Sequence, residues 1–227
     1  MNKVQKLLTL ILMSLSVYFI YQSTNQKTIK IISLGDGISL GINSYGIKEY
    51  SPVEYMKDYL QKQQKAIQIK TYADKEIMIK ELTEQIKTNN TIKRDLLEAH
   101  LLVLSIGYND VIYKLSLEES DYFSSRKQLT EIKKDYEFLI KEIRKYYKNE
   151  IIQIGFYGTN KNDYYCKKEL LELNKFFQTQ LEISYVDTYN SLKNRKKYFS
   201  NPNNNYPNRL GYQEISKKII TKTLENH

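Results

Sequence analysis

Ile31-Ile32-Ser33-Leu34-Gly35-Asp36-Gly37-Ile38-Ser39-Leu40-Gly41 decides how the rest of the chain is read. A short β-branched and apolar run ends in glycines and an aspartate, and an amphipathic segment follows. That is a strand, a tight turn and a short helix start. Four later runs repeat the strand part: IQIKTY from Ile67, LLVLSI from Leu101, IIQIGFY from Ile151 and ISYVD from Ile183. Between them lie longer amphipathic stretches, Pro52 to Lys65, Lys75 to Lys87, Ser124 to Lys148, Tyr164 to Gln180 and Arg209 to Leu224. Continuous apolar strands alternating with helices predict an α/β domain, a three-layer, doubly wound parallel five-stranded sheet covered on both faces. In such sheets ligands bind beyond the carboxyl ends of the strands, so the functional residues are expected just after them.

The glycines agree with this layout. Gly35, Gly37, Gly41 and Gly46 follow the first strand, Gly107 ends the third, Gly155 and Gly158 the fourth, and Gly211 opens the last helix. Ser51-Pro52-Val53-Glu54 reads as N-cap, proline at the first helical position and capping glutamate. Arg195 to Tyr206 reads as a polar, Asn-rich loop. No internal repeat is present, and residues 28–227 are expected to form one domain.

With 41% hydrophobic and 27% charged residues, the chain can build a core and is not of disordered type. A formal charge of +9 favours anionic partners. Basic and acidic residues alternate along helices, however, as in Lys133, Lys134, Asp135, Glu137, Lys141 and Glu142, which is a solvated face and gives no nucleic-acid stripe. Cys166 is the only cysteine, so no intrachain disulfide and no cysteine-rich metal centre can form. No cofactor or metal is expected. Asp36, Asp110 and Asp187 at strand ends are weighed as a cation cluster, with a structural role preferred.

At the N-terminus, Lys3 and Lys6 precede Leu7 to Tyr21, fifteen residues without a charge. No small-residue cleavage pattern follows. The expectation is a signal anchor within residues 1–25, a transmembrane helix over residues 4–22, placing the chain in the cell membrane as a single-pass protein with its domain on the extracytoplasmic side.

Three segments resemble the sequence blocks of the SGNH/GDSL hydrolases. The opening stretch looks like their Gly-Asp-Ser-x-x-x-Gly, Gly107-Tyr108-Asn109-Asp110 like their Gly-x-Asn-Asp, and Tyr206-Pro207-Asn208-Arg209-Leu210-Gly211-Tyr212 like their His-Pro-Asn-x-x-Gly-Tyr. The resemblance implies a flavodoxin-like sheet with strand order 2-1-3-4-5 and an acyl-ester hydrolase. It also implies that Gly37 stands at the nucleophile position, Tyr206 at the histidine position and Asn203 at the orienting aspartate. All three are substituted. Asn109 corresponds to an oxyanion donor, and no glycine lies between Gly46 and Gly107 to supply the second backbone donor. The residues say the same without any alignment. The chain has two histidines, His100 before the third strand and His227 at the end, and neither is placed to serve as a base.

The expected function is thus a degenerate esterase-like protein that binds a cell-envelope glycan, lipid or acyl ester in its former cleft. Asp36, Ser39, Gly107 and Asp110 are the expected binding residues. The alternative is an active hydrolase with an unconventional nucleophile such as Ser39. Ligand identity and protein partner are not readable from the sequence.

Overall fold

The computed structural model describes residues 5, 9, 11–17, 28–63, 65–116, 122–158, 167–201 and 205–225. Five strands form one parallel sheet: β1 (Ile29–Gly35), β2 (Ile67–Ala73), β3 (Leu101–Ser105), β4 (Ile151–Ile154) and β5 (Ile183–Val186). Their order is β2-β1-β3-β4-β5, the order the resemblance implied.

Alternation along each strand feeds two cores. Ile32 and Leu34 of β1, Leu102 and Leu104 of β3 and Ile151 of β4 point to one face. Ile31, Val103 and Ile154 point to the other. The first face is covered by α3 (Ile79–Thr88), α4 (Asn90–Glu98), α6 (Tyr122–Tyr146) and α7 (Lys167–Gln178), and the second by α2 (Pro52–Lys62) and α10 (Arg209–Glu225). Shorter helices sit at the turns: α1 (Gly37–Leu40), α5 (Tyr108–Ser116), α8 (Thr188–Ser191) and α9 (Arg195–Tyr198). The edge strands β2 and β5 are only partly buried, while β3 is buried throughout.

Helix boundaries follow their caps. α2 starts at Pro52 because Ser51 and Glu54 form the expected capping box, with the Ser51 N–H donating to Glu54 Oε2 at 2.7 Å. The helix expected over Lys75 to Lys87 begins later, at Ile79, and a second helix that was not expected follows it. Asn89 breaks the run by accepting from the N–H groups of Thr91 and Ile92, which starts α4. Part of the segment read as a loop from Arg195 is helical as α9.

The transmembrane expectation is corrected. Among the described residues no helix is long and apolar enough to cross a membrane. Residues 11–17 are helical, and the uncharged run of fifteen residues is shorter than the ~20 that span a bilayer core. The remainder of the segment 4–22, apart from Gln5 and Thr9, lies outside the described residues.

Candidate functional site

The expected site residues gather where β1, β3 and β4 end. Gly35 closes β1 with a φ of +128°, and a Cβ there would lie 1.8 Å from the Ser105 carbonyl oxygen, so only glycine fits between the two strands. The close approach brings the Asp36 N–H to the Ser105 carbonyl at 2.8 Å and the Ser105 hydroxyl to Asp36 Oδ1 at 2.9 Å. Asp36 Oδ1 also accepts from the Ile38 N–H at 3.1 Å and caps α1. Burial pushes the Asp36 carboxyl up from 3.8 to about 7; the bonds from Ser105 and Ile38 oppose that rise and the nearby charge of Asp110 adds to it.

Gly37 opens α1, and its Cα faces the ring of Tyr206. A Cβ built on Gly37 would lie 2.5 Å from the Tyr206 phenol oxygen, 2.6 Å from Cε1 and 2.7 Å from Cζ. The ring therefore fills the space that the first side-chain atom of a nucleophile would occupy. Tyr206 is held there by its backbone: Ser44 donates its hydroxyl to the Tyr206 carbonyl at 2.6 Å, Tyr157 donates to the Asn205 carbonyl at 2.9 Å, and the Asn208 N–H reaches the Tyr198 carbonyl at 2.7 Å. Burial raises the Tyr206 phenol well above its ordinary value, and the charges of Asp36 and Glu76 push the same way. At neutral pH such a phenol keeps its proton and cannot act as a general base.

Asn109 lies on the same rim, but its side-chain amide donates to the carbonyls of Lys75 at 3.1 Å and Ile77 at 3.0 Å. Its two N–H groups thus tie the loop after β2 to the start of α5, where an oxyanion donor would point into the cleft. Asp110 is buried and accepts from the Ile79 N–H at 3.1 Å, which helps to start α3. Gly107, with φ +101°, makes the turn into α5 against Ile79 and Phe156. Ser39 is 1% exposed and donates its hydroxyl to the Leu34 carbonyl at 2.8 Å. It braces the end of β1 from inside, and Asp36 holds the capping role. Asn203 lies outside the described residues.

The cavity left among Asp36, Asn109, Phe156, Tyr157, Asn205 and Tyr206 measures about 20 Å³, room for a single water. Sequence reasoning missed Tyr157, Phe156 and Asn205, which sit in segments without a motif, and Ser105, whose signal was its strand register opposite Gly35. Asp187 caps α8 by accepting from the Asn190 N–H at 3.1 Å, and among the described residues no three His, Cys, Asp or Glu side chains gather as a metal site. His100 sits at the start of β3, at the far end of the sheet, where its Nδ1 accepts from the Lys30 N–H at 3.1 Å.

No protein-family model matches the chain, and no curated protein sequence does either. Solved structures do. A lipase from a goat rumen metagenome superposes with a TM-score of 0.75 at 19% identity, over 86% of this chain and 97% of its own. A family 3 carbohydrate esterase of Clostridium thermocellum gives 0.63 at 15% identity, over 88% and 97%. A member of the lipolytic G-D-S-L family from Veillonella parvula gives 0.59 at 17% identity, over 85% and 97%. The order of the sheet, the turn after β1 and these likenesses together identify the fold of the chain as that of the SGNH/GDSL hydrolases.

Proposed function

We propose that this chain is a catalytically silent protein of the SGNH/GDSL hydrolase fold, acting by binding or scaffolding and not by cleaving esters. One observation carries the reading: the Tyr206 ring occupies the space above Gly37 where a nucleophile would start. The remaining chemistry is consistent with it. A serine hydrolase needs a hydroxyl, a base within hydrogen-bond reach and donors aimed at the oxyanion. Here the first is a glycine, the second a protonated phenol, and the Asn109 donors serve the loop after β2. Ser39 offers no substitute because its hydroxyl is buried against the β1 carbonyl.

The expected binding of a glycan, lipid or acyl ester inside the former cleft finds little room in a cavity of about 20 Å³. A binding role is therefore better sought on the surface. The neighbours named as lipase and carbohydrate esterase support the fold, and their activities do not transfer at this level of identity.

The test is direct. Full-length protein incubated with p-nitrophenyl acetate and with a fluorophosphonate probe is expected to give no turnover above buffer and no label. Turnover that disappears in Ser39→Ala would overturn the proposal.

A further inference from the structure

On the second face of the sheet, α2 and α10 run side by side and leave a groove between them. Tyr55 and Tyr59 sit four residues apart on α2 and so share one face of the helix. Gln213 and Lys217 follow Arg209 at the same spacing along α10 and face them across the gap. The Tyr50 ring meets Tyr55 edge-on, with centroids 5.4 Å apart and planes at 64°. The groove has a volume of about 870 Å³. Glu49 and Arg209 also line a second, adjoining basin of about 280 Å³ beside Tyr45 and Asn208. Tyr45, Tyr50 and Tyr59 are 68%, 50% and 43% exposed along these basins.

We propose that this trough binds an uncharged, linear polysaccharide. The exposed rings offer apolar surface to the C–H faces of sugar rings. Carboxylates, guanidinium, amide and phenol groups between them accept from and donate to sugar hydroxyls. The larger basin alone is near the top of the ~300–1,000 Å³ range of small-molecule pockets, and the second basin extends it, so the ligand is an oligomer and not a monosaccharide. Charge selects the class. Despite the chain's +9, Glu49 and Asp58 nearly balance Lys62, Arg209 and Lys217 along the groove, which disfavours a polyanion. The same interleaving of Lys, Glu and Asp with the rings disfavours a protein partner, since interface cores are depleted in those charges.

The trough shares no residue with Gly37, Asn109 or Tyr206. Residual esterase activity would overturn the proposed function and leave this inference standing.

Full-length protein titrated calorimetrically with cellohexaose, xylohexaose and chitohexaose tests it, with heparin hexasaccharide as the anionic comparison. The chain has no tryptophan, so tyrosine emission reports the same binding independently. At least one neutral hexasaccharide is expected to bind, and Tyr50→Ala and Tyr59→Ala to weaken it roughly tenfold each with the thermal unfolding midpoint unchanged. Tyr206→Phe, in the closed pocket, leaves the affinity as it was. No binding of any of the three at millimolar concentration overturns the proposal, as do full affinity in the Tyr50→Ala/Tyr59→Ala double variant and a preference for heparin.

Discussion

The turn after β1 and the turn after β3 differ from what the resemblance to the SGNH/GDSL blocks implies in opposite ways. After β1 the identities depart from the Gly-Asp-Ser block: Gly35 and Asp36 make the close contact with Ser105, but Gly37 carries no nucleophile and the Tyr206 ring lies over it. After β3 the identities are those of the Gly-x-Asn-Asp block, yet Asn109 and Asp110 bond to backbone groups at Lys75, Ile77 and Ile79. A residue that matches a motif is therefore no better guide to chemistry than one that departs from it until its hydrogen bonds are known. The two turns also differ in what ester hydrolysis would require of them. The first needs side chains, the second needs a different loop after β2.

The largest effect is expected where that difference is tested head-on. Gly37→Ser alone forces a side chain into the Tyr206 ring and is expected to lose about 1–3 kcal/mol of stability by urea unfolding, with no hydrolysis. Adding Tyr206→His and Asn203→Asp relieves the clash and supplies a base. The folded triple variant is expected to hydrolyse p-nitrophenyl acetate detectably, though the missing glycine amide and the committed Asn109 amide each hold its rate down by ~10²-fold or more. Strict additivity of the Gly37→Ser and Tyr206→His stability changes would mean that the two residues do not compete for one space.

Asp36 supplies the next effect, and its sign follows from its raised carboxyl. The folded state binds this proton with a value of about 7 against an ordinary 3.8. Its contribution to stability is thus fully present below about 3.8 and is lost as the pH rises through about 7. Asp36→Asn retains an acceptor for Ser105 and Ile38 and never ionises. Between about pH 5 and about pH 8 the wild type should lose on the order of 2 kcal/mol relative to this variant, read from paired urea curves. Parallel pH profiles would show that Asp36 is not proton-linked to folding.

At the turn after β3 the comparison sharpens further. If Asn109 is structural, Asn109→Ala leaves two loop carbonyls without their donor and costs about 1–2 kcal/mol. If its amide were free to serve an oxyanion, the same change would leave stability nearly unaltered. Hydrogen exchange at residues 75–78 should rise in the variant.

Much of the scaffold was legible because it rests on local patterns. The five apolar runs, the Ser51 cap and the glycines at strand ends each announce an element within a few residues. Asn89-Asn90-Thr91 carries a helix start too, but the helix from Asn90 to Glu98 went unread. The fate of the site was not legible to the same depth. Gly37 and Tyr206 could each be read as a substitution, but that one occupies the space of the other depends on how α10 packs against β1. Whether Asn109 faces the cleft or the loop depends on the path of residues 75–78, which no motif marks.

The smallest effect belongs to Ser39, the serine nearest in sequence to the position where the resemblance implies a nucleophile. Its position two residues beyond Gly37 invites a catalytic reading, whereas its 1% exposure and its 2.8 Å bond to the Leu34 carbonyl describe a brace at the end of β1. The two readings predict different things from one substitution. A brace replaced by alanine removes a single neutral hydrogen bond and almost no volume, so Ser39→Ala should lose about 0.5–1.5 kcal/mol. It should leave the fluorophosphonate result as it stands in the wild type, without label in either protein. A nucleophile replaced by alanine would instead abolish a label that the wild type carries, with little change in stability. Measured side by side, thermal unfolding and labelling separate the two cases, because each moves only under one of them.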